Sequence, residues 1–581
     1  MNRSSLTGHR WTRREATANQ LAWAREQGLP PIITEVLASR APAEPTSNWL
    51  RPDLGVILAH DPRSMHGMHT TIDRLRKALR DREKIFVVTD YDVDGTTSSL
   101  ILQHALHLAG GGQADIAWHI PDRFAEGYGF RPVAADKARE LGCSLIVTAD
   151  IGVRDHDAIE RARTLGIDVL VCDHHLPAEA AVPENATAVL CPPQRDCAYP
   201  NPALAACGVS LKVAQALLAK HPKKERILRS FLKLAAIGTV ADVVDLSTVE
   251  NRAIVSLGLQ ELSRGPHSAG LAALLEVAGV TGRPLRADDL GFRVGPRINA
   301  AGRLERATAV VELLNERDPQ RAMAMAQALD RVNADRRSLQ QRLETAARAH
   351  IPTPPPPFVV VWGEEDLANN SPWHRGIAGI VASRIREQVH RPVAVITVSG
   401  DTARGSIRST TGLHAVHALD STSELLHRYG GHPAAAGFTL ETKHLPAFAD
   451  RLQTWAASAG AGNHVPEHHF DGELAPRDLS LALLRQLSDL GPFGKGNPPP
   501  LLRLSNITVD RLRTMGQEGR HLSFAVGSHR AIWWRGAQWQ SALKGASRVD
   551  LLVALEANTY RGRTSLQLKV EDAHIHCDEG A

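Results

Sequence analysis

The run Lys84–Ser98, KIFVVTDYDVDGTTS, constrains this chain more than any other stretch. An apolar strand-forming segment, Ile85-Phe86-Val87-Val88, empties into carboxylates at alternate positions, Asp90, Asp92 and Asp94. Gly95 follows, and a helix opens through Thr96-Thr97-Ser98. Side chains alternate along a strand, so acids two apart project to one side at its carboxyl end. Three like charges that close repel unless a cation sits among them. A polar turn would also use Asp and Gly, so the rest of the chain has to decide between the two readings.

Residues 56–265 supply the test. Apolar strands expected at Ile85–Thr89, Ile116–Ile120, Leu145–Ala149 and Ile167–Cys172 alternate with helical segments, which predicts a parallel, doubly wound sheet. Ligands of such sheets bind beyond the carboxyl ends of the strands. Asp150 closes the third strand, and Asp173-His174-His175 closes the fourth. Asp242, in GTVADVVD after a helical run, is expected to reach the same crevice. Three strand ends carrying metal-ligand residue types favour the metal reading over turns chosen for shape. An oxygen-rich set with imidazole suits Mn²⁺ or Mg²⁺. Two such ions, typically about 3.5–4 Å apart across a bridging carboxylate, would activate water for attack at phosphorus. The expected ligands are Asp92, Asp94, Asp150, His174 and Asp242, with Asp150 as bridge. Asp90 and His175 stand next to them, either as ligands or as orienters of water and phosphate.

TDYDVDGTTS, TADIG, Asp173-His174-His175 and GTVADVVD resemble the four motifs of the DHH phosphoesterase superfamily. Further strings narrow the resemblance to its RecJ family, single-strand-specific 5′→3′ DNA exonucleases. They are RFAEGYG (123–129), GPRINAAGRL (295–304), WHRGIAGIVASR (373–384), RGSIRS (404–409), GGHPAAAG (430–437) and PFGKGNPPP (492–500). The resemblance implies single-stranded DNA as substrate, a role in repair and recombination, and a helicase and a single-strand-binding protein as partners. It also implies DNA-phosphate contacts at Arg123, Arg303, Ser406 and Arg408, a terminal nucleotide at Tyr128, and a DHHA1-motif histidine at His432. Ile151 stands where many relatives carry Asn, and Ile cannot make that amide's hydrogen bonds. Two other readings stay open: a DHH phosphodiesterase of short oligoribonucleotides or cyclic dinucleotides, and a non-catalytic replication scaffold.

The remaining chain divides into four expected parts. Residues 1–55 carry small helices around Trp11, Leu21, Ile33, Val36 and Leu37, packed onto something larger. Residues 266–357 form a helical connector, including a long helix capped by Asp318-Pro319 and decorated by Arg331, Arg336, Arg337 and Arg342, either a solvated basic face or a DNA-facing one. Residues 358–465 form a second α/β unit, in the resemblance the DHHA1 domain. There Ser406, Arg408 and amides exposed by Gly430-Gly431 beside His432 make a phosphate cradle. Residues 466–581 show five short strands, expected as a barrel of the OB type that binds single strands by basic grooves and aromatic stacking. Its candidates are Arg511, Arg513, Arg520, Arg535 and one of Trp533 and Trp534, since neighbours on a strand face oppositely. The fold class is thus α/β multidomain: a DHH domain at 56–265, a connecting helix, a DHHA1 domain and a terminal barrel.

At 581 residues the chain exceeds what one core serves. The near-balanced charge, +4, describes a soluble globular protein. No run approaches the roughly 18 apolar residues of a spanning helix. The cysteines at 143, 172, 191, 197, 207 and 577 form no CxxC pair, so they read as reduced residues of a cytoplasmic protein. A monomer is expected.

Overall fold

The computed structural model describes residues 5–177, 181–304, 306–365, 371–461, 465–516 and 518–576. The chain forms two compact units. One is built mainly from Trp11–Asp330 and the chain from His468 onward, the other from Arg331–Glu467.

At the centre of the first unit lies a five-stranded sheet of β1 (Ile85–Thr89), β2 (Ile116–His119), β3 (Leu145–Ala149), β4 (Asp168–Cys172) and β5 (Ala188–Leu190). The order is β2-β1-β3-β4-β5 and every pairing is parallel. The pleat sends alternate residues to opposite cores: Ile85, Val87, Leu145, Val147 and Leu170 join one cluster, and Phe86, Val88, Ile146, Val169 and Val171 the other. Both faces are therefore covered, as a parallel sheet requires. Helices Pro132–Glu140 and His156–Thr164 contribute to the second cluster, and Val93–Ala109, Ala206–Leu217 and Lys224–Ala241 to the first. The short β5 escaped the sequence reading because three residues carry no periodicity. Ile151 is buried against Val153 and Val171 in the second cluster, so an apolar residue there leaves no unmet hydrogen bond.

The expected connector 266–357 divides. Leu290, Val294, Ile298 and Val310 belong to the main core of the first unit, as does the start of the helix Pro319–Ala349 through Ala322 and Ala326. Leu343 and Ala347 of that helix belong to a core of the second unit. Asp318 caps the helix through the Arg321 amide at 2.8 Å.

The carboxyl-terminal part corrects two expectations. Its main sheet holds seven strands rather than the five expected, of order Gly472–Glu473, Leu502–Ile507, Arg548–Tyr560, Arg563–His576, His529–Trp533, His521–Val526, Asp510–Met515. Among the described residues its two outermost strands do not pair, so no closed barrel forms. The missed edge strand Asp510–Met515, DRLRTM, is mostly exposed and so lacks alternating apolar residues. Its charges also suit an unpaired edge.

The amino-terminal helices Ala18–Glu26 and Pro31–Ala38 find their larger partner in this sheet: Ile33, Val36, Leu37 and Trp49 share one core with Leu474, Leu502, Leu504 and Val553. Arg252 ties that core to the parallel-sheet region. Its buried guanidinium lies 4.0 Å from the Trp49 ring and donates to the carbonyls of Trp49 (2.6 Å) and Gly491 (2.7 Å). Burial lowers its pKa to about 10. Replacing it strands buried carbonyls and removes charge-assisted hydrogen bonds, so Arg252→Met is expected to cost about 3 kcal/mol. A urea midpoint equal to that of the wild type would refute this.

Candidate metal centre and nucleic-acid contacts

The carboxyl ends of β1, β3 and β4 deliver their acids and imidazoles to one crevice. Asp92 is the N-cap of helix Val93–Ala109, accepting from the amides of Asp94 (2.8 Å) and Gly95 (3.1 Å). Asp94, the second residue of that helix, accepts from the amides of Ala206 (2.7 Å) and Cys207 (2.9 Å) at the start of helix Ala206–Leu217. Two helix N-termini thus point partial positive charge at the acids. Asp150 takes a left-handed backbone, φ 66°, an uncommon conformation for a residue other than glycine. Asp242 caps the carboxyl end of helix Lys224–Ala241. That helix passes close because position 238 is glycine: a Cβ there would stand 2.5 Å from Thr97 Oγ1 and 2.9 Å from Asp94 Oδ1.

Ligand-type atoms gather in three sets, each within 4.8 Å of one another: Asp90, Asp92 and Asp150; Asp94, His174 and Asp242; Asp150, His174 and His175. His174 Nε2 lies 3.2 Å from Asp150 and 3.8 Å from both Asp94 and Asp242. Asp150 therefore stands between the first two sets. The residues expected around the crevice are brought together, with Asp90 in one set with Asp92 and Asp150.

Electrostatics separates the two histidines. Burial lowers the pKa of His174, keeping it neutral, and its Nε2 is a buried atom with no hydrogen-bond partner. His175 is half-buried, and its Nδ1 contact with Asp173 at 2.8 Å holds it protonated, up to about 9. Asp173 is buried, but His175 and the Val153 amide bring it down to about 2. Asp173 thus serves His175 and the local backbone rather than the crevice.

The other acids go the opposite way. Burial, and after it Asp92, raises Asp90 well above the carboxylate range; burial, and after it Asp92 and Asp94, does the same to Asp150. Burial also raises Asp94. Asp242 reaches about 8 through burial and Asp94. Asp90 Oδ1, like His174 Nε2, is buried without a partner. Crowded carboxylates with orphaned acceptor atoms and one neutral imidazole fit hard divalent cations such as Mn²⁺ or Mg²⁺.

Residues 84–239 match the DHH family N-terminal domain, residues 359–458 the DHHA1 domain and residues 470–572 the RecJ OB domain. The single-stranded-DNA-specific exonuclease RecJ of Dickeya dadantii (strain 3937) is 35% identical over 578 residues, covering 94% of this chain and 96% of that protein. The chain belongs to the RecJ family. The RecJ of Bacillus subtilis (strain 168) is 32% identical over 89% of this chain, which spans 64% of that relative's length. A RecJ from Thermus thermophilus, solved in complex with Mn²⁺, matches with a TM-score of 0.81 at 30% identity, over 97% of this chain and 79% of that one.

Three of the residues that the RecJ resemblance assigned to DNA lie around Tyr91, beside the acids. Arg123 sits 5.1 Å from the Tyr91 ring centre. Arg303 ends helix Gly295–Leu304, whose Gly302 has no room for a Cβ against the Tyr91 carbonyl, at 2.9 Å. The Tyr128 hydroxyl is 3.3 Å from His175 Nε2, and its ring meets Tyr91 edge-on at 6.4 Å.

The DHHA1 residues form their own group in the second unit. Ser406 and Arg408 share a face of strand Thr402–Arg408, with Arg408 donating to Ser406 Oγ at 2.7 Å. Gly430 and Gly431 lie not in a turn but within the exposed edge strand Leu426–His432, opposite Gly437 and Ala436, and His432 pairs with Ala435. Small residues on both strands suit pairing as well as turning, and that ambiguity hid the strand. In the RecJ OB domain, Trp533 is core and Trp534 exposed against His521, while Arg511, Arg513, Arg520 and Arg535 are exposed.

One positioning network escaped the sequence reading. Lys212, on the helix whose amides hold Asp94, forms a fully buried ion pair with Glu250 at 2.8 Å, and Glu250 also accepts from Tyr199 and Asn201. A lone lysine in ACGVSLKVAQALL was the available signal.

Cation binding has to displace protons from groups raised this way, so protons compete below the raised pKa. Mn²⁺ affinity is expected to fall steadily as pH drops from about 8, where Asp242 titrates, towards 6. Titration calorimetry giving a pH-independent affinity would contradict the protonated state of the metal-free crevice.

Proposed function

We propose that this protein is a metal-dependent exonuclease that hydrolyses phosphodiester bonds of single-stranded DNA in the 5′→3′ direction. The observation that carries this reading is the meeting of Asp90, Asp92 and Asp150 with Asp94, His174 and Asp242, two ligand sets with Asp150 between them. The first set would hold one Mn²⁺ or Mg²⁺ ion and the second another. When bound, such ions neutralise the acids, polarise the phosphoryl oxygens and lower the pKa of water.

The chain's own residues do the rest. Asp173 holds His175 as a cation, a donor for a phosphoryl oxygen. Arg123 and Arg303 bring planar cations suited to backbone phosphates. Tyr128 offers a ring for the terminal nucleotide. In the DHHA1 domain, Ser406 and Arg408, with Gly430, Gly431 and His432 nearby in the sheet, form a cradle for a 5′-terminal phosphate, which would make the action exo rather than endo. In the OB domain, Trp534 and the exposed arginines suit a long single strand.

The domain layout that goes with this reading is a DHH domain, a DHHA1 domain and an OB domain in that order. Names borne by the relatives support the substrate, and the OB match over 470–572 favours long strands over short oligoribonucleotides or cyclic dinucleotides. The intact ligand sets speak against a non-catalytic scaffold. Among the described residues no helix is long and apolar enough to cross a membrane. A cytoplasmic monomer working in repair and recombination beside a helicase and a single-strand-binding protein completes the proposal.

Digestion of 5′- and 3′-labelled single- and double-stranded DNA tests it. Mononucleotides should leave from the 5′ end of single strands with Mn²⁺ or Mg²⁺ and stop with chelator. Preference for two-to-five-nucleotide RNA would overturn the substrate. Asp150→Ala should abolish hydrolysis and keep DNA binding. Arg303→Ala and Arg408→Ala should weaken DNA binding with bound metal unchanged, and equal loss of metal would refute their assignment to phosphate.

A further inference from the structure

The segment PFGKGN (492–497) packs on the residues that follow Asp242. Gly494 and Asn497 exchange backbone hydrogen bonds at 2.9 and 3.2 Å, leaving Lys495 and Gly496 at the tip of a tight turn. The Lys495 carbonyl accepts from the Leu246 amide at 2.8 Å, four residues beyond Asp242. Gly496, at φ 77°, lies so close to the Asp245 carboxylate that no Cβ fits, and a Cβ on Gly494 would stand 2.8 Å from Leu246 Cδ1. On the other side, Asn497 donates to the Leu490 and Pro492 carbonyls and accepts from Arg40 at 3.0 Å. Arg40 is itself locked to Asp471 at 2.7 Å. The turn is therefore fixed from both sides by glycines, an amide and backbone.

None of that fixing uses the Lys495 side chain. It is exposed and, among the described residues, makes no ion pair, though its own backbone is held four residues beyond Asp242. A structural lysine would be expected to pack its stem or bind a carboxylate, as Lys212 does with Glu250. Charge balance offers another use. The five carboxylates of the two ligand sets outweigh two divalent ions by one negative charge, and an incoming phosphodiester adds another. Arg123 and Arg303 answer this beside Tyr91. On the side of Asp242, the turn that holds the Leu246 amide brings Lys495.

We infer that Lys495, held at the tip of the rigid turn between the OB-sheet strands Gly472–Glu473 and Leu502–Ile507, binds a backbone phosphate of the single strand next to the scissile one. This rests on the exonuclease reading above. A compact ammonium on a flexible stem suits a phosphate that moves as the strand advances, where arginine's fork would hold one geometry. The turn thus couples the OB domain to the catalytic crevice through the substrate as well as through packing.

The test uses the full-length protein with Lys495→Gln and Lys495→Arg, assayed with Mn²⁺ on single-stranded DNA. Lys495→Gln should raise KM roughly five- to tenfold while kcat stays within about twofold, from the loss of one charge-assisted contact. The slope of log affinity against log salt should shrink by about 0.7, one phosphate on a single strand. Lys495→Arg should restore both, and Mn²⁺ affinity and thermal stability should match the wild type. Unchanged KM and salt slope in Lys495→Gln would overturn the inference. So would a shifted Mn²⁺ affinity with an unchanged salt slope, which would make Lys495 a partner of Asp242 alone. Wild-type protein inert on single-stranded DNA would instead bring down the exonuclease reading on which the inference depends.

Discussion

The structure is organised around a charge that the protein alone does not balance. Asp90, Asp92, Asp94, Asp150 and Asp242 converge on one crevice at the end of a parallel sheet, and burial denies them the water that would screen their repulsion. The fold answers in part. Helix Val93–Ala109 starts on Asp92, helix Ala206–Leu217 starts on Asp94, and their unpaired amides supply partial positive charge. Asp173 is given a full cation in His175. Asp90 and Asp150 receive no comparable partner, and Asp90 keeps an oxygen with none. Divalent ions complete what helix termini only begin.

Holding such a cluster in register needs a frame that does not relax, and the frame is unusually polar for its depth. Lys212 with Glu250, and Arg252 over Trp49, are buried charges whose hydrogen bonds end on backbone carbonyls from distant segments: Ile57, His60, Trp49 and Gly491. An apolar side chain at either place would pack but would not choose among neighbouring positions of those carbonyls. Directional bonds fix the helix that carries the Asp94 amides and the seam between the parallel sheet and the terminal one. Such specificity is one use to which buried polar groups are put.

The catalytic part was legible because one rule acts on it. Parallel strands end on the same side, so Asp90, Asp150 and His174 had to be neighbours once their strands were recognised. Asp242 followed from its motif. The separation of His174 from His175 was not legible, because it turns on which imidazole meets Asp173. Elsewhere the sequence fell short for a different reason. Asp510–Met515 and Leu426–His432 are edge strands whose residues face solvent, and edges carry no alternation to read. The destination of Ile33, Val36 and Leu37 is a contact across most of the chain, which no local pattern encodes.

That last contact bears on how the molecule is made. The helices of residues 18–38 bury their apolar faces against strands that lie beyond residue 470. At usual elongation rates the first segment waits roughly half a minute to two minutes for the strands that cover it. Through that interval the parallel-sheet core, whose residues end near 330, has everything it needs to fold, while Ile33, Val36 and Leu37 stay uncovered. The terminal sheet is thus made long after the helices it covers, and a ribosome that stops short of it releases those helices with their apolar faces exposed.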